Sequence, residues 1–301
     1  MLINLFVLLI AGMVSKNSHI FVPNQTTIYF MRKMLLIFTS SLLFDITAHS
    51  QSKLGEVACV YMTTPDLDSS VAVYEKLGFP KTNSNTFPLP WAQVSDGSLL
   101  IMMRKDATPY IGLTYYVTDI EKVAAQLEKD GIVFTSKPKE GDPIKRYYFK
   151  SPDGFNIMLA SNLGAFQQPT GTTMINMKQE DYASAEKYPN KQCGVFGEFA
   201  HPVTDINASI AFWKKLGFTV KAEMKEPYAH AILSDGLMII GLHQTKHFNY
   251  PAISYFGLNT EKRVQQLKEK GLTNFTEVAG KNNVALTTWE GQHFFIFSLG
   301  M

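Results

Sequence analysis

The sequence has little cysteine and little excess charge. Two cysteines in 301 residues exclude a scaffold built from several disulfides and a zinc site of four thiolates. Lys and Arg number 28 against 26 Asp and Glu, a net charge of +2, which argues against nucleic acid as a partner. The sequence also lacks a P-loop, a GxGxxG motif and a G-x-S-x-G motif, the usual signatures of nucleotide binding and of a serine nucleophile.

The first fifty residues differ from the rest in composition. Residues 31–33 are Met-Arg-Lys, residues 34–44 form a mainly apolar run of eleven, and Ala48-His49-Ser50 places small residues before Gln51. This order is typical of a secretory signal peptide. We therefore expect translation to start at Met31, with residues 1–30 as an upstream extension and residues 1–50 removed on export.

Two short membrane-associated segments are the alternative for this region. Asp45 argues against a permanent span, because a charge inside lipid is costly. The mature chain is thus expected in the periplasm or outside the cell, without a stable membrane span. Cys59 and Cys193 do not occupy equivalent repeat positions, so two unpaired buried thiols are expected, with a disulfide as the alternative.

The remaining chain contains one pattern four times. A polar residue is followed twelve residues later by Gly at Asp66/Gly78, Asp119/Gly131, Asp205/Gly217 and Asn259/Gly271. The stretch before the polar residue is rich in β-branched and aromatic residues and predicts a strand. The stretch between them predicts a helix that begins at Asp or Asn and ends at Gly. Short β-like runs follow, so the repeated unit is β-α-β-β-β.

The strongest copies are 139 residues apart and divide the chain into two domains. Ser-Asp-Gly at 95–97, for example, recurs at 234–236. We predict one domain over residues 55–162 and a second over residues 193–299. Residues 163–192 are predicted to be a linker packed on the surface.

The repeated motifs resemble those of a known superfamily. They are D-L-D-S-S-V-A-V-Y-E-K-L-G-F at 66–79, S-D-G at 95–97 and S-P-D-G-F-N-I at 151–157. This set is similar to the vicinal oxygen chelate superfamily of glyoxalases, fosfomycin- and bleomycin-resistance proteins and extradiol dioxygenases. The resemblance implies an α+β fold with two tandem glyoxalase-like domains. Each would contain two βαβββ modules forming an incomplete barrel around a cleft.

The resemblance also implies where a divalent metal would be held in catalytic members. The corresponding positions of this sequence are Cys59, Gly112 and Met158 in the first domain and Glu198, Ala252 and Phe295 in the second. Gly, Met, Ala and Phe cannot hold a hard divalent ion, and one Cys or one Glu does not make a site. The sequence therefore favours a protein without a metal or other cofactor.

One observation supports a divalent metal in the second domain instead. All five histidines of residues 51–301 lie there, at His201, His230, His243, His247 and His293. Alternation along the strands places Glu198 and His293 on the cleft side. A displaced metal site of Glu198, His243 and His293, with His230 nearby, is thus one alternative. Scattered surface or hydrogen-bonded histidines are the other.

Aromatic residues on the predicted strands are candidates for binding a small molecule. The candidates are Trp91, Tyr115, Tyr147, Tyr228, Tyr255 and Trp289. Such side chains combine a large apolar surface with a polar tip, although core packing must account for most aromatic residues. No catalytic residue is predicted.

Three functions remain open from the sequence. The favoured one is non-catalytic binding of a small amphipathic or aromatic ligand. The second is a metal-dependent lyase or dioxygenase that uses the displaced site of the second domain. The third is a scaffold or interaction protein whose clefts are closed.

We predict that the mature protein begins near Gln51, because a positive start, an apolar run and small residues occur there in order. N-terminal sequencing of protein purified from its native host would test this prediction. A cytoplasmic protein that begins at Met1 would contradict it.

Overall fold

The computed structural model describes residues 52–162, 164, 166–278 and 283–299. The predicted signal peptide and its upstream extension, residues 1–50, lie outside the described residues. Within the part that is described, no helix combines the length and the apolar character needed to cross a bilayer.

Strands and helices follow each other in the predicted order. The first domain contains β1 (Val57–Thr64), α1 (Leu67–Lys76), β2 (Lys81–Asn85), β3 (Trp91–Ser95), β4 (Leu100–Lys105), β5 (Ile111–Val117), α2 (Ile120–Lys129), β6 (Arg146–Lys150) and β7 (Asn156–Ser161). The second contains β8 (Val195–Pro202), α3 (Ile206–Lys215), β9 (Thr219–Met224), β10 (His230–Ser234), β11 (Ile239–His243), β12 (Ala252–Gly257), α4 (Thr260–Glu269), β13 (Phe275–Glu277), β14 (Val284–Thr287) and β15 (His293–Ser298). Two short 3₁₀ turns, Gln179–Asp181 and Ala185–Lys187, lie between the domains.

Each domain is built on one open sheet. The strand orders are β2-β3-β4-β1-β5-β7-β6 and β13-β14-β15-β12-β8-β11-β10-β9. The first strands of the two modules pair antiparallel at the centre of each sheet, and the last strand of each module runs parallel to its first. Neither sheet closes into a barrel, so each has a concave face. The predicted α+β fold of two tandem glyoxalase-like domains is confirmed.

The second module departs from the predicted unit. Only β6 and β7 follow α2, where the other modules have three strands. In place of the missing strand, Ser136 forms an isolated bridge with Tyr148 of β6. The repeat is therefore complete in three modules of the described chain and shortened in one.

The helix starts agree with the predicted caps in two of four copies. The Asp66 carboxylate accepts a hydrogen bond from the Ser69 amide, and the Asp205 carboxylate accepts from two amides of the first turn. Asp119 and Asn259 make no side-chain cap, and Asn259 adopts a left-handed conformation with φ 54°. The four glycines after the helices all have positive φ, between 84° and 96°. Glycine tolerates this conformation without strain, and helices commonly end in this way.

The helix-bearing faces of both sheets share one hydrophobic core. The ring of Tyr74 in α1 lies 5.9 Å from that of Phe294 in β15, and the rings of Phe155 and Phe199 are 5.4 Å apart. Both contacts join the two domains. The domains are therefore packed against each other through the faces that carry the helices, while the concave faces point away from this core.

Two buried hydrogen bonds cross the domain interface in equivalent positions. The Tyr115 hydroxyl donates to Asp235 Oδ2 at 2.6 Å, and the Tyr255 hydroxyl donates to Asp96 Oδ2. The other oxygen of each Asp accepts two amides of its own turn. The Ser-Asp-Gly turn of each domain is thus bonded to the central strand of the other.

The linker packs on both sheets, on the faces that do not carry the helices. The Phe166 ring lies against Tyr116 on the concave face of the first sheet, with ring centroids 4.1 Å apart. Further along, Met174, Met177 and Tyr188 are buried in the apolar cluster on the concave face of the second sheet. The linker therefore covers part of both concave faces. This packing removes its apolar side chains from water, which is favourable.

We expect Tyr115→Phe to lower the free energy of unfolding by about 1–3 kcal/mol, because it leaves a buried carboxylate short of a donor. Asp235 Oδ2 would then accept only the hydrogen bond from the Ser52 hydroxyl, at 2.6 Å. Tyr255→Phe should act in the same direction. Urea denaturation would measure both, with Tyr147→Phe, whose ring is only half-buried, as the control. Equal stability of Tyr115→Phe and the wild type would contradict this role.

Candidate functional site

A cavity of about 440 Å³ lies at one end of the first concave face. Its walls include Tyr61 of β1, Arg104 of β4, Tyr148 of β6 and Tyr110, which precedes β5. Strand alternation explains the placement of Tyr61, because Cys59 and Tyr61 point to the concave face and Ala58, Val60 and Met62 to the helices. The cavity thus occupies the cleft that the fold provides.

Three tyrosine rings and one arginine form a wall of this cavity. The ring centroid of Tyr110 lies 5.8 Å from that of Tyr61 and 5.9 Å from that of Tyr148, both pairs edge to face. The Arg104 guanidinium lies 6.0 Å from the Tyr61 centroid and donates to the Asp106 carboxylate at 2.7 Å. The wall therefore offers aromatic surface together with a cation.

Several buried polar atoms on this side of the first sheet lack hydrogen-bond partners within the described residues. They are Gln93 Oε1, Arg104 Nε, the Tyr110 hydroxyl and Thr114 Oγ1. Gln93 pairs with Met102 and Thr114 with Cys59, which places both on the concave face. Because buried polar groups are normally satisfied, such a set indicates a site that a polar molecule completes.

Burial sets the protonation of the tyrosines. Loss of hydration raises the pKa of Tyr61 to about 12, against the opposing effect of the Arg104 charge. Burial raises the pKa of Tyr110 as well. Both phenols are therefore neutral at pH 7 and able to donate a hydrogen bond to a ligand.

The second concave face carries a different cluster, with a buried carboxylate and imidazole. Glu198 of β8 and His243 of β11 are 2% and 5% exposed, and Glu198 Oε1 lies 2.9 Å from His243 Nε2. Gly241 makes room for the pair, since a Cβ there would lie 1.9 Å from Glu198 Oε2. The Tyr228 hydroxyl lies 3.3 Å from His243 Nδ1. With Nε2 protonated, these groups form a Tyr–His–Glu hydrogen-bond chain.

Two neighbouring groups of this cluster are neutral at pH 7. Burial raises the pKa of Tyr228, and the Glu198 charge raises it further. Burial, the larger cause, and the neighbouring His243 together lower the pKa of His230 to about 4. The His230 and His243 rings are parallel, with centroids 5.5 Å apart. Chemically, a chain of phenol, imidazole and carboxylate can pass a proton along its hydrogen bonds.

The proposed metal ligands are brought together only in part. Glu198 and His243 are in contact, whereas the His293 ring stacks on Tyr250 at 3.6 Å and hydrogen-bonds Thr287. Among the described residues, no group of three or more His, Cys, Asp and Glu is placed to hold a metal ion. Zinc sites in proteins use at least three protein ligands. The residues of the second concave face therefore do not fit a resident divalent metal.

The remaining histidines and both thiols lie elsewhere. His201 is buried between the domains, and His247 is exposed, with its ring 6.0 Å from that of Tyr228. Cys59 and Cys193 are free and buried, as expected, and burial raises the pKa of both thiols. Neither thiol is therefore activated as a nucleophile.

Two of the six aromatic candidates for ligand binding belong to the core between the domains. Tyr115 and Tyr255 are fully buried on the helix-bearing faces, and their hydroxyls bond the opposite domain. Their polar tips are therefore engaged within the protein. The sequence showed that they lie on strands but not which face of the sheet would be covered.

The other four candidates are spread over the molecule. The Trp91 ring lies 5.4 Å from that of Phe166 on the first concave face, and Tyr228 belongs to the second. Tyr147 packs on Phe134 on the helix side, with ring centroids 5.0 Å apart. Trp289 is 48% exposed in the turn after β14. The structure thus brings none of these four rings into one wall.

The sequence analysis missed Tyr61, Arg104 and Tyr110, which line the first cavity. A signal for one of them was present. The resemblance places Cys59 in the cleft, and Tyr61 follows it by two residues. Alternation along the strand therefore places Tyr61 in the cleft as well. Tyr110 lies outside the strands, and no periodicity locates it.

No family model matches the sequence, and no curated protein matches it. Solved structures are similar in fold. The 2,3-dioxygenase LapB from Pseudomonas sp. KL28 is 15% identical with a TM-score of 0.51, covering 84% of this chain and 94% of its own. Homoprotocatechuate 2,3-dioxygenase from Arthrobacter globiformis is 14% identical with a TM-score of 0.52, covering 82% and 81%. The Mn(II)-bound glyoxalase from Novosphingobium aromaticivorans is 16% identical with a TM-score of 0.50, covering 82% and 83%. At such identities the likeness is one of architecture, and it is consistent with the fold of the vicinal oxygen chelate superfamily.

Proposed function

We propose that this protein is exported and binds a small aromatic molecule, without catalysis, in the cavity of the first concave face. The observation that carries the proposal is the pair of buried donors without protein partners, Arg104 Nε and the Tyr110 hydroxyl, that line the cavity beside the rings of Tyr61 and Tyr148. Aromatic walls with a few convergent polar groups are typical of sites for small molecules.

The polar groups define the chemistry of the ligand. Arg104 Nε and the Tyr110 hydroxyl belong to residues that line the cavity and are available as donors. Donors outnumber acceptors, and one of them is cationic. A flat ring that carries a carboxylate or phenolic oxygens therefore fits best, with its ring against the tyrosines and its oxygens towards Arg104.

The two competing functions are less well supported. A scaffold with closed clefts is at odds with the cavity of about 440 Å³ at one end of the first concave face. A metal-dependent lyase or dioxygenase in the second domain would need a third ligand close to Glu198 and His243. His293 is the third ligand suggested by the sequence. Its ring instead stacks on Tyr250 and hydrogen-bonds Thr287.

We expect 4-hydroxybenzoate to bind the purified protein, and Arg104→Gln to weaken this binding by about tenfold or more, because a charge-assisted hydrogen bond is lost. Tyr110→Phe should weaken it less, since only a neutral donor is removed. Isothermal titration calorimetry would measure both effects. Lys105→Gln is the matched control, because Lys105 follows Arg104 on β4 and is exposed. Unchanged affinity in Arg104→Gln, or no binding by the wild type, would refute the proposal.

We also expect the purified protein to retain no stoichiometric divalent metal after dialysis, because Glu198 and His243 supply only two ligands. Elemental analysis of the wild type, Glu198→Ala and Glu223→Ala would test this, the last being an exposed glutamate of β9. One equivalent of zinc, iron, nickel or manganese in the wild type and Glu223→Ala, but not in Glu198→Ala, would make the second domain a metal site instead.

A further inference from the structure

A second cavity, of about 390 Å³, lies between the two domains. It is lined from the first domain by the loop before β5 and the turn before β7, and from the second domain by the end of β8 and the turn before β15. The polar side chains that matter for its chemistry are Asp153, His201 and Glu290. It shares Pro109, Tyr110 and Asn156 with the cavity of the first concave face, whereas Asp153, His201 and Glu290 line this cavity alone of the two.

Glu290 brings a carboxylate to this cavity that the protein does not satisfy. Both of its oxygens are buried and have no hydrogen-bond partner within the described residues. The equivalent carboxylate of the first domain, Asp153, accepts from the Thr204 amide at 2.9 Å, the Thr204 hydroxyl at 3.1 Å and the Ser209 hydroxyl at 2.5 Å. Two related carboxylates therefore have opposite environments.

The sequence explains this difference. Thr204 corresponds, at the offset of 139, to Pro65, which has neither an amide hydrogen nor a hydroxyl. Ser209 corresponds to Ser70, whose hydroxyl is engaged by Thr64 Oγ1 at 2.8 Å and the Asp66 carbonyl at 2.9 Å. Near Glu290, therefore, the residue that corresponds to one donor of Asp153 cannot donate, and the residue that corresponds to the other is hydrogen-bonded elsewhere. A buried anion without donors is costly, and a bound cation would remove that cost.

His201 is a second polar group without a partner in this cavity. It is 3% exposed, and neither ring nitrogen has a hydrogen-bond partner within the described residues. Its ring packs against Phe155 at 4.0 Å and lies 6.0 Å from Trp213. The first domain has Met62 at the equivalent position, where no such ring nitrogens occur.

His201 is neutral at pH 7. Burial, the larger cause, and the nearby His243 together lower its pKa to about 3. A neutral imidazole has one nitrogen that accepts a hydrogen bond. The cavity therefore contains a carboxylate and an imidazole nitrogen that can both accept from the same kind of donor.

The rest of the lining suits a cation. Among the described residues that line the cavity there is no Lys or Arg, whereas the rings of Tyr110, Trp213 and Tyr250 belong to the lining. Aromatic faces attract organic cations, and carboxylates neutralise them. The volume of about 390 Å³ matches pockets that hold small organic molecules.

We propose that the cavity between the domains binds a small organic ammonium ion, with Glu290 as its counter-ion and His201 as a second acceptor. The ammonium group donates to these two side chains, and its apolar part lies against the aromatic rings. This site is independent of the proposed ligand site of the first domain, although Tyr110 lines both cavities.

The test uses benzylammonium as the probe, with benzyl alcohol and benzoate as matched neutral and anionic compounds. Calorimetric titration of the full protein at pH 7.5 should show saturable binding of benzylammonium, about tenfold or more tighter than either analogue, because only the cation pairs with Glu290. Glu290→Gln should weaken it by about tenfold, and His201→Met, which introduces the residue of the first domain, by a smaller factor.

Two controls separate this site from others. Glu277→Gln, an exposed glutamate of β13, and Arg104→Gln of the first cavity should leave benzylammonium binding unchanged. If 4-hydroxybenzoate fails to bind while benzylammonium behaves as expected, only the proposed function of the first domain falls.

A further measurement keeps the proposal testable if a variant folds poorly. Without ligand, Glu290→Gln should melt at the same temperature as the wild type or higher, because it removes an uncompensated buried charge. Benzylammonium should then raise the melting temperature of the wild type by more than that of Glu290→Gln at the same ligand concentration. Absence of saturable binding, equal affinity in Glu290→Gln, or tighter binding of benzoate would each overturn the proposal.

Discussion

The arrangement of this protein depends on the packing of two helix-bearing sheet faces against each other. Tyr115 and Tyr255 bond Asp235 and Asp96 across that contact, so each domain completes a buried carboxylate of the other. Helices and sheets must bury one apolar face, and here the two domains use each other for that purpose. The concave faces are consequently left outside the shared core, and the linker covers part of each.

The two concave faces have become different in chemistry although they share one fold. The first carries tyrosines and Arg104, and the second carries Glu198 and His243 in a buried pair. The same contrast holds position by position, since Cys59 corresponds to Glu198 and Arg104 to His243. Fold therefore says little about function in this molecule, and the side chains on each face decide what it can hold.

The sequence predicted the elements that obey a strong local rule. Asp66 and Gly78 locate a helix by its ends, and the repeat extends that rule to the whole chain. The edge strand Lys81–Asn85 was not predicted, because all of its residues are exposed and it therefore shows no apolar alternation. The sequence analysis grouped Glu198 with His243 in the alternative metal site, and the two side chains are in contact. The cross-domain partners of Tyr115 and Tyr255 could not be predicted, because no local pattern shows which sheet faces meet.

The pair Asp153 and Glu290 shows how a duplicated architecture can acquire a binding site. Around Asp153 stand Thr204 and Ser209, which donate to it, whereas the positions that correspond to them near Glu290 are Pro65 and Ser70, whose hydroxyl is engaged elsewhere. A single residue in the facing domain therefore decides whether a repeated carboxylate is satisfied within the protein or left for a bound molecule.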